Sequence, residues 1–451
     1  MEELLDKATD EFKKIKDTIR IISHLDADGI SSSSIFIKCL LRENKKFSLS
    51  VVKQLDEKIL KELSREKYKN IFFVDLGSGS LCNIKKYLSD RNVFILDHHI
   101  LEECENNFFI VNPHLLNIEN ASSVISGAGV TYLFCKKLNE KNMDMAHIAV
   151  VGALGDIQSF ESYNKRILED AIKMNKIEIR KGLRMFGTQT RPLHKLLQYS
   201  TDPYIPNVTG SEEGAINFLE EIGVKFRDQE GYRKLIDLDK EEMKKLVTGI
   251  ILKRLGSEED AEDVLGDIYI LTEEEEESYT KDAREFSTLL NACGRLGKHS
   301  IGIGTCLGNK ECKEEANMIL KDYKTEIIKS LDWFYNNRNN FIEKDGFVII
   351  NSESNVKDTL IGTLCSIVSN SNLYADGTII VGMTYTLDNK IKISLRVSGK
   401  RNLDLKDILR KIIANGEVGG HKKACGALID IGEEESFINN AIKILSEYGT
   451  R

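Results

Sequence analysis

The feature that most constrains the fold is a rhythm in the first quarter of the chain. Short runs rich in Val, Ile and Phe fall at 19–23, 48–53, 70–76, 92–97 and 108–111, with helical patterns at 31–43 and 55–67 between them. Apolar runs alternating with helices predict a mostly parallel sheet covered on both faces. A leading helix is expected over 1–18, where Leu4, Leu5, Ala8, Phe12 and Ile15 recur at helical spacing, and further helices near 126–138 and 145–155.

With 451 residues the chain has room for two or three domains with real cores. No stretch approaches 18 consecutive apolar residues, which excludes a conventional membrane span. The start, MEELLDKATDEFKKIKD, is charged and amphipathic and lacks the apolar segment of a signal peptide, so a cytoplasmic location is expected. Nine scattered cysteines (39, 82, 104, 135, 293, 306, 312, 365 and 425) form no CxxC pair, and reduced thiols are expected rather than a disulfide framework or a zinc ribbon. The net charge of -8 argues against a uniformly basic DNA-coating surface while leaving a local groove open. Charge is uneven: residues 171–200 hold seven Lys/Arg against one Glu, and residues 256–280 hold eleven Asp/Glu with no Lys or Arg. The basic stretch reads either as part of a single-strand path or as a solvated helix face. The acidic one reads as a solvent loop.

The rhythm breaks at 166–285, where Pro192, Pro203 and Pro206 lie. This predicts a catalytic domain over 1–165, a largely helical insertion over 166–285 with an irregular loop near 198–212, completion of the core over 286–308, and a connector helix over 309–342. That helix would be roughly 45 Å long at 1.5 Å per residue. Strand runs resume in 343–451, which predicts a smaller C-terminal α/β domain.

Chemistry-bearing groups gather where elements end. Ser23-His24-Leu25-Asp26-Ala27-Asp28-Gly29 follows the strand run RIIS, Asp75 closes IFFV, Asp97-His98-His99 closes VFIL, and Gly152-Ala153-Leu154-Gly155-Asp156 closes an apolar helix. Open α/β sheets place ligands at the carboxyl ends of their strands. Imidazole and carboxylate together form a hard ligand set suited to Mn²⁺ or Mg²⁺. So many carboxylates in one pocket require counter-cations, and two divalent ions make a site for in-line phosphoryl displacement.

These four motifs, SHLDADG, FVDLGSG, LDHH and GALGD, in this order resemble the DHH phosphoesterase superfamily. The resemblance implies a two-Mn²⁺ centre, with Mg²⁺ as the other candidate ion. His24, Asp26 and Asp75 would hold one ion, and Asp28, Asp75, His98 and Asp156 the other. His99 would contact the scissile phosphate, and Asp97 would orient a histidine. Val418-Gly419-Gly420-His421 resembles the GGH motif of the DHH-associated domain, although KKACGA follows it where the family has Pro-x-Ala-Ala-Gly. The resemblance assigns Gly419, Gly420, His421 and the strand residue Arg396 to substrate binding. Asn291-Ala292-Cys293-Gly294-Arg295 resembles the NAAGR segment of RecJ nucleases and makes Arg295 a candidate phosphate clamp, with a packing salt bridge as the bland reading.

The resemblance therefore implies a Mn²⁺-dependent exonuclease on single-stranded DNA or RNA, acting 5′→3′ and releasing mononucleotides from a strand end held between the two domains. The alternatives are a phosphodiesterase of short oligonucleotides or cyclic dinucleotides, and a replisome scaffold that binds GINS. The insertion is similar to that of archaeal RecJ-like, GINS-associated proteins. His114, His147, His194 and His299 receive no role.

Overall fold

The computed structural model describes residues 1–118, 120–200, 203–255, 264–371, 373–399, 401–413 and 418–448. The chain divides into two compact units, Met1–Leu320 and Lys321–Arg451.

The first unit opens with α1 (Glu2–Lys14), β1 (Ile19–His24), α2 (Ala27–Arg42), β2 (Phe47–Val52), α3 (Glu57–Arg65), β3 (Asn70–Val74), α4 (Leu81–Leu88), β4 (Asn92–Leu96) and β5 (Phe109–Val111). The five strands form one parallel sheet in the order β2-β1-β3-β4-β5. Both faces are covered, as the apolar runs predict. Phe72 stacks on Phe94 at 4.2 Å and meets Phe12, Phe36 and Phe134 on one face. Its neighbours Ile71 and Phe73, pointing the other way, join Leu60, Leu63, Ile84 and Leu88. Helices α5 (Ala121–Val124), α6 (Gly127–Leu138) and α7 (Ala146–Gly155) follow.

Next come α8 (Ser162–Lys173), β6 (Ile177–Leu183), α9 (Leu193–Gln198), α10 (Glu212–Glu221), α11 (Lys240–Arg254) and β7 (Leu265–Leu271). β6 and β7 pair as an antiparallel ribbon, which corrects two expectations. The basic stretch is partly strand, and the described part of the acidic tract begins with β7 rather than a loop; residues 256–263 lie outside the described residues. The two charge runs pair with each other: Lys181 faces Asp267 across the ribbon at 2.6 Å, and Lys176 reaches Glu273 at 2.5 Å. Lys195 is likewise paired, with Glu212 at 2.6 Å. A single-strand path along this stretch loses that much of its positive charge. Beneath the ribbon α9, α10 and α11 enclose a core of Leu193, Leu196, Leu197, Phe218, Leu246 and Ile250.

α12 (Ala283–Arg295) and α13 (His299–Cys306) return to the sheet domain, and α14 (Lys310–Asn336) follows. At 27 residues α14 is shorter than the connector expected over 309–342, because a short 3₁₀ turn and a strand take up Arg338–Lys344; the division between the units falls within it.

The second unit holds β8 (Ile342–Lys344), β9 (Phe347–Asn351), α15 (Ile361–Ser369), β10 (Ile379–Tyr385), β11 (Lys390–Val397), α16 (Leu405–Ile412), β12 (Val418–His421), β13 (Ala424–Asp430) and α17 (Glu434–Leu445). Its six strands run in the order β12-β13-β11-β10-β9-β8, with β9 and β10 parallel and the other pairs antiparallel. Among the described residues no helix is long and apolar enough to cross a membrane. The expectation of nine reduced thiols is corrected at one place: Cys82, at the start of α4, is joined to Cys104 in the loop after β4, with Cα atoms 5.5 Å apart. Spacing could not show this, because the fold brings together a helix start and a loop 22 residues apart.

Candidate metal centre

The chain builds β1, crosses to β2 at one edge, then returns to place β3 on the other side of β1. Strand order reverses there, and ligands of open α/β sheets bind at such a switch point. β1 ends in His24 and β3 is followed by Asp75. The next strand, β4, is followed by Asp97, His98 and His99.

His24 Nδ1 stands 2.8 Å from Asp26 Oδ2 and 3.8 Å from Asp75 Oδ2. His98 Nε2 stands 3.3 Å from Asp156 Oδ2, 3.6 Å from Asp75 Oδ1 and 3.8 Å from Asp28 Oδ2. Thus each oxygen of Asp75 faces a different histidine. His24, Asp26 and Asp75 offer ligand atoms within 4.8 Å of one another, as do Asp28, His98 and Asp156, and as do Asp75, Asp97, His98 and His99.

The remaining contacts hold these groups in place. Asp26 caps α2, its Oδ1 accepting from Gly29 N at 3.0 Å while Oδ2 stays toward His24. Asp28 accepts from Gly127 N (2.6 Å) and Ala128 N (3.0 Å), the first N–H groups of α6. His98 donates from Nδ1 to Ser122 O at 2.9 Å, which turns Nε2 toward the carboxylates. Asp97 accepts from Ser78 N (2.9 Å), His98 N (2.8 Å) and His99 Nδ1 (2.7 Å), fixing the His99 ring. Close approach depends on two glycines. A Cβ on Gly127 would lie 2.4 Å from Asp75 Oδ1, and one on Gly152 would lie 2.5 Å from Asp28 Oδ1.

The electrostatics are those of crowded buried carboxylates. Burial, then the neighbouring Asp28 and Asp26, pushes the Asp75 carboxyl well above the carboxylate range. Burial and Asp156 raise Asp28 to about 6. Burial works against the charge of His98, yet Asp156 and Asp28 raise its imidazole to about 10. Burial also opposes the charge of Asp26 and Asp97, but His24 holds the first and His99 the second below the ordinary carboxylate range. Both Asp75 oxygens are buried without a hydrogen-bond partner. Buried polar atoms are left so only when something else satisfies them. A hard, mixed N/O set of this kind fits divalent cations.

The structure therefore brings His24, Asp26, Asp28, Asp75, Asp97, His98, His99 and Asp156 together. Burial works against the charge of His24, Asp26 and Asp156 raise its imidazole above the ordinary value, and Arg295, at the end of α12, is near enough to oppose them. Arg396, Gly419, Gly420 and His421 belong to the second unit. There Ala424 of β13 faces Arg396 on one side and His421 on the other, and Arg396 Nε donates to Ser366 Oγ at 2.9 Å. Sequence reasoning missed the groups that position ligands through the backbone: Gly127, Ala128, Ser122 and Gln158, whose Nε2 donates to Ser122 O at 3.0 Å. It also missed Asn112, which donates to Ser78 Oγ and His99 O. One signal was available for α6. Ser126 before Gly127-Ala128-Gly129 marks a capped helix start, and such a start favours an anion.

A parallel sheet with buried carboxylates and imidazoles at its switch point defines a protein with a centre placed for binding divalent cations. The comparisons with known proteins give the family. Residues 18–155 match the DHH family, N-terminal domain; residues 185–265 match the DHH-CID domain; residues 345–447 match the DHHA1 domain. An uncharacterized protein of Methanocaldococcus jannaschii is 31% identical over 445 residues, covering 95% of this chain and 93% of that protein. The chain belongs to the DHH superfamily of phosphoesterases. Among solved structures, CDC45 from Entamoeba histolytica superposes with a TM-score of 0.64 at 13% identity, over 99% of this chain and 98% of that one. RecJ in complex with Mn²⁺ from Thermus thermophilus superposes with a TM-score of 0.61 at 14% identity, over 98% of this chain. This chain spans 55% of that RecJ.

Proposed function

We propose that the protein is a Mn²⁺-dependent exonuclease that degrades single-stranded nucleic acid 5′→3′ and releases mononucleotides. One observation carries the reading: the Asp75 carboxylate is buried, has no hydrogen-bond partner, and stands between His24 on one side and His98 on the other. His24, Asp26 and Asp75 would hold one ion, and Asp28, Asp75, His98 and Asp156 the other. Bound there, two such ions supply an activated water and charge stabilisation for attacking and leaving oxygens. His99, fixed by Asp97, contacts the scissile phosphate. Arg295 clamps a phosphate oxygen. Arg396, Gly419, Gly420 and His421 bind the nucleotide end, and the catalytic domain comprises 1–165 with 286–308. RecJ bound to Mn²⁺ and RecJ bound to Mg²⁺ among the similar folds support a divalent-cation centre.

The test is degradation of end-labelled single-stranded DNA and RNA with Mn²⁺ and with Mg²⁺, read on a gel. Mononucleotide release from the 5′ end in Mn²⁺ is expected. Exclusive cleavage of dinucleotides or cyclic dinucleotides would replace this reading with the oligonucleotide phosphodiesterase. A second role, binding of GINS or another replisome component, is favoured by the DHH-CID match at 185–265 and the CDC45 likeness. A GINS pull-down with and without residues 185–265 tests it.

A further inference from the structure

We infer that Ile157 is a substrate-contacting residue whose side chain packs against the base of the nucleotide bound at the Asp28–Asp75–Asp156 cluster. This rests on the reading of that cluster as a nucleic-acid phosphodiesterase centre. α7 ends in a Schellman turn: Gln158 N donates to Ala153 O at 3.0 Å and Ile157 N to Leu154 O at 3.2 Å. That turn needs a left-handed residue after the cap, a place that glycine usually takes. Here it is Ile157, with φ at +56°.

Among the described residues eleven other than glycine have positive φ, and ten of them are Asn, Asp, Ser or Glu. Asn and Asp visit this region readily, whereas a β-branched residue there is an outlier. Packing gives nothing back, since Ile157 is 92% exposed. A lone exposed apolar side chain needs no explanation. One held in a strained backbone state directly after a metal-capable carboxylate does, because such strain collects where ligands are gripped.

The turn is anchored as well: Gln158 Nε2 donates to Ser122 O at 3.0 Å and Ile125 O at 3.4 Å. Glycine would make the same turn without strain. What isoleucine adds is a branched hydrocarbon in solvent, one residue from Asp156. Beside a phosphodiester in nucleic acid lie a sugar and a base, and the base alone offers a broad apolar face. Every base has one, so the contact tolerates any sequence.

The test compares wild type, Ile157→Gly and Ile157→Val in Mn²⁺ on two single-stranded oligonucleotides. One is ordinary, and the other is abasic at the nucleotide to be released. Wild type should prefer the ordinary substrate by roughly tenfold in kcat/KM, the scale of one apolar contact. In Ile157→Gly that preference should collapse toward one while Tm rises by about 2 °C, and Ile157→Val should keep most of the preference. A wild type indifferent to the missing base, or an Ile157→Gly variant that slows on both substrates alike, would overturn the inference. Failure of wild type to cleave either oligonucleotide would instead overturn the functional reading beneath it.

Discussion

Asn291 Oδ1 accepts the backbone N–H of Ala27 at 3.1 Å, across 264 positions of sequence. Ala27 opens α2 between Asp26 and Asp28, and its N–H is one of the helix-start donors without an intrahelical partner. Asp26 caps Gly29 with one oxygen and keeps the other toward His24, so Asn291 takes the neighbouring donor. Asn291→Ala should therefore raise the Mn²⁺ concentration for half-maximal activity by about 10-fold or more, the scale seen for groups behind a metal ligand. Asn291→Asp, which keeps the acceptor, should restore much of the loss. Metal titration of both variants checks this.

Asp75→Asn should separate stability from activity. Burial and its carboxylate neighbours oppose the charge on Asp75, so the neutral amide should melt higher than wild type in a chelator. Hydrolysis should fall by more than about 100-fold, because the amide keeps only one of the two oxygens that face His24 and His98 and carries no charge. Chelation should lower the Tm of wild type, since an ion bound only by the native state at 100 times its Kd adds about 2.7 kcal/mol. In Asp75→Asn that dependence should largely vanish. Thermal melts with Mn²⁺ and with a chelator measure both effects.

Gly152→Ala places a methyl group 2.5 Å from Asp28 Oδ1, and 2.7 Å from the Ala128 side chain in α6. Both neighbours lie in packed helices. The variant should lose about 1–3 kcal/mol of stability, as overpacked cores do, together with Mn²⁺ affinity. Denaturant melts and isothermal titration report the two losses separately.

Glu285 gives a pH dependence away from the metal centre. Burial raises its carboxyl from 4.5 to about 7, against the pull of the Gln189 N–H it accepts at 3.0 Å. Between those two values the folded protein holds a proton that the unfolded chain releases. Stability from this group is present below about 4.5 and is lost as pH rises toward 7. At 1.36 kcal/mol per unit the loss is about 3 kcal/mol. Glu285→Gln should flatten the decline between pH 5 and 8, and denaturant melts of both proteins across that range check it.

The strand ends could be read from the sequence because ligand chemistry there is local. Each apolar run that stops at an Asp or His announces both a buried strand and the group at its tip, as IFFV does before Asp75 and VFIL before Asp97. The cradle of Asp28 was not legible, since its donors belong to a helix start 99 and 100 positions away. The β6–β7 ribbon was hidden for another reason. Its residues are charged because cross-strand pairs such as Lys181 with Asp267 face solvent, so no apolar alternation marks the strands.

The order β2-β1-β3-β4-β5 has a consequence for biosynthesis. His24, Asp75, His98 and Asp156 arrive on four separate elements, and β1 must be flanked before its tip meets that of β3. A nascent chain released before Asp156 has emerged lacks one wall of the pocket. The full set of these four groups therefore exists only once the chain has been made through Asp156, about a third of its length.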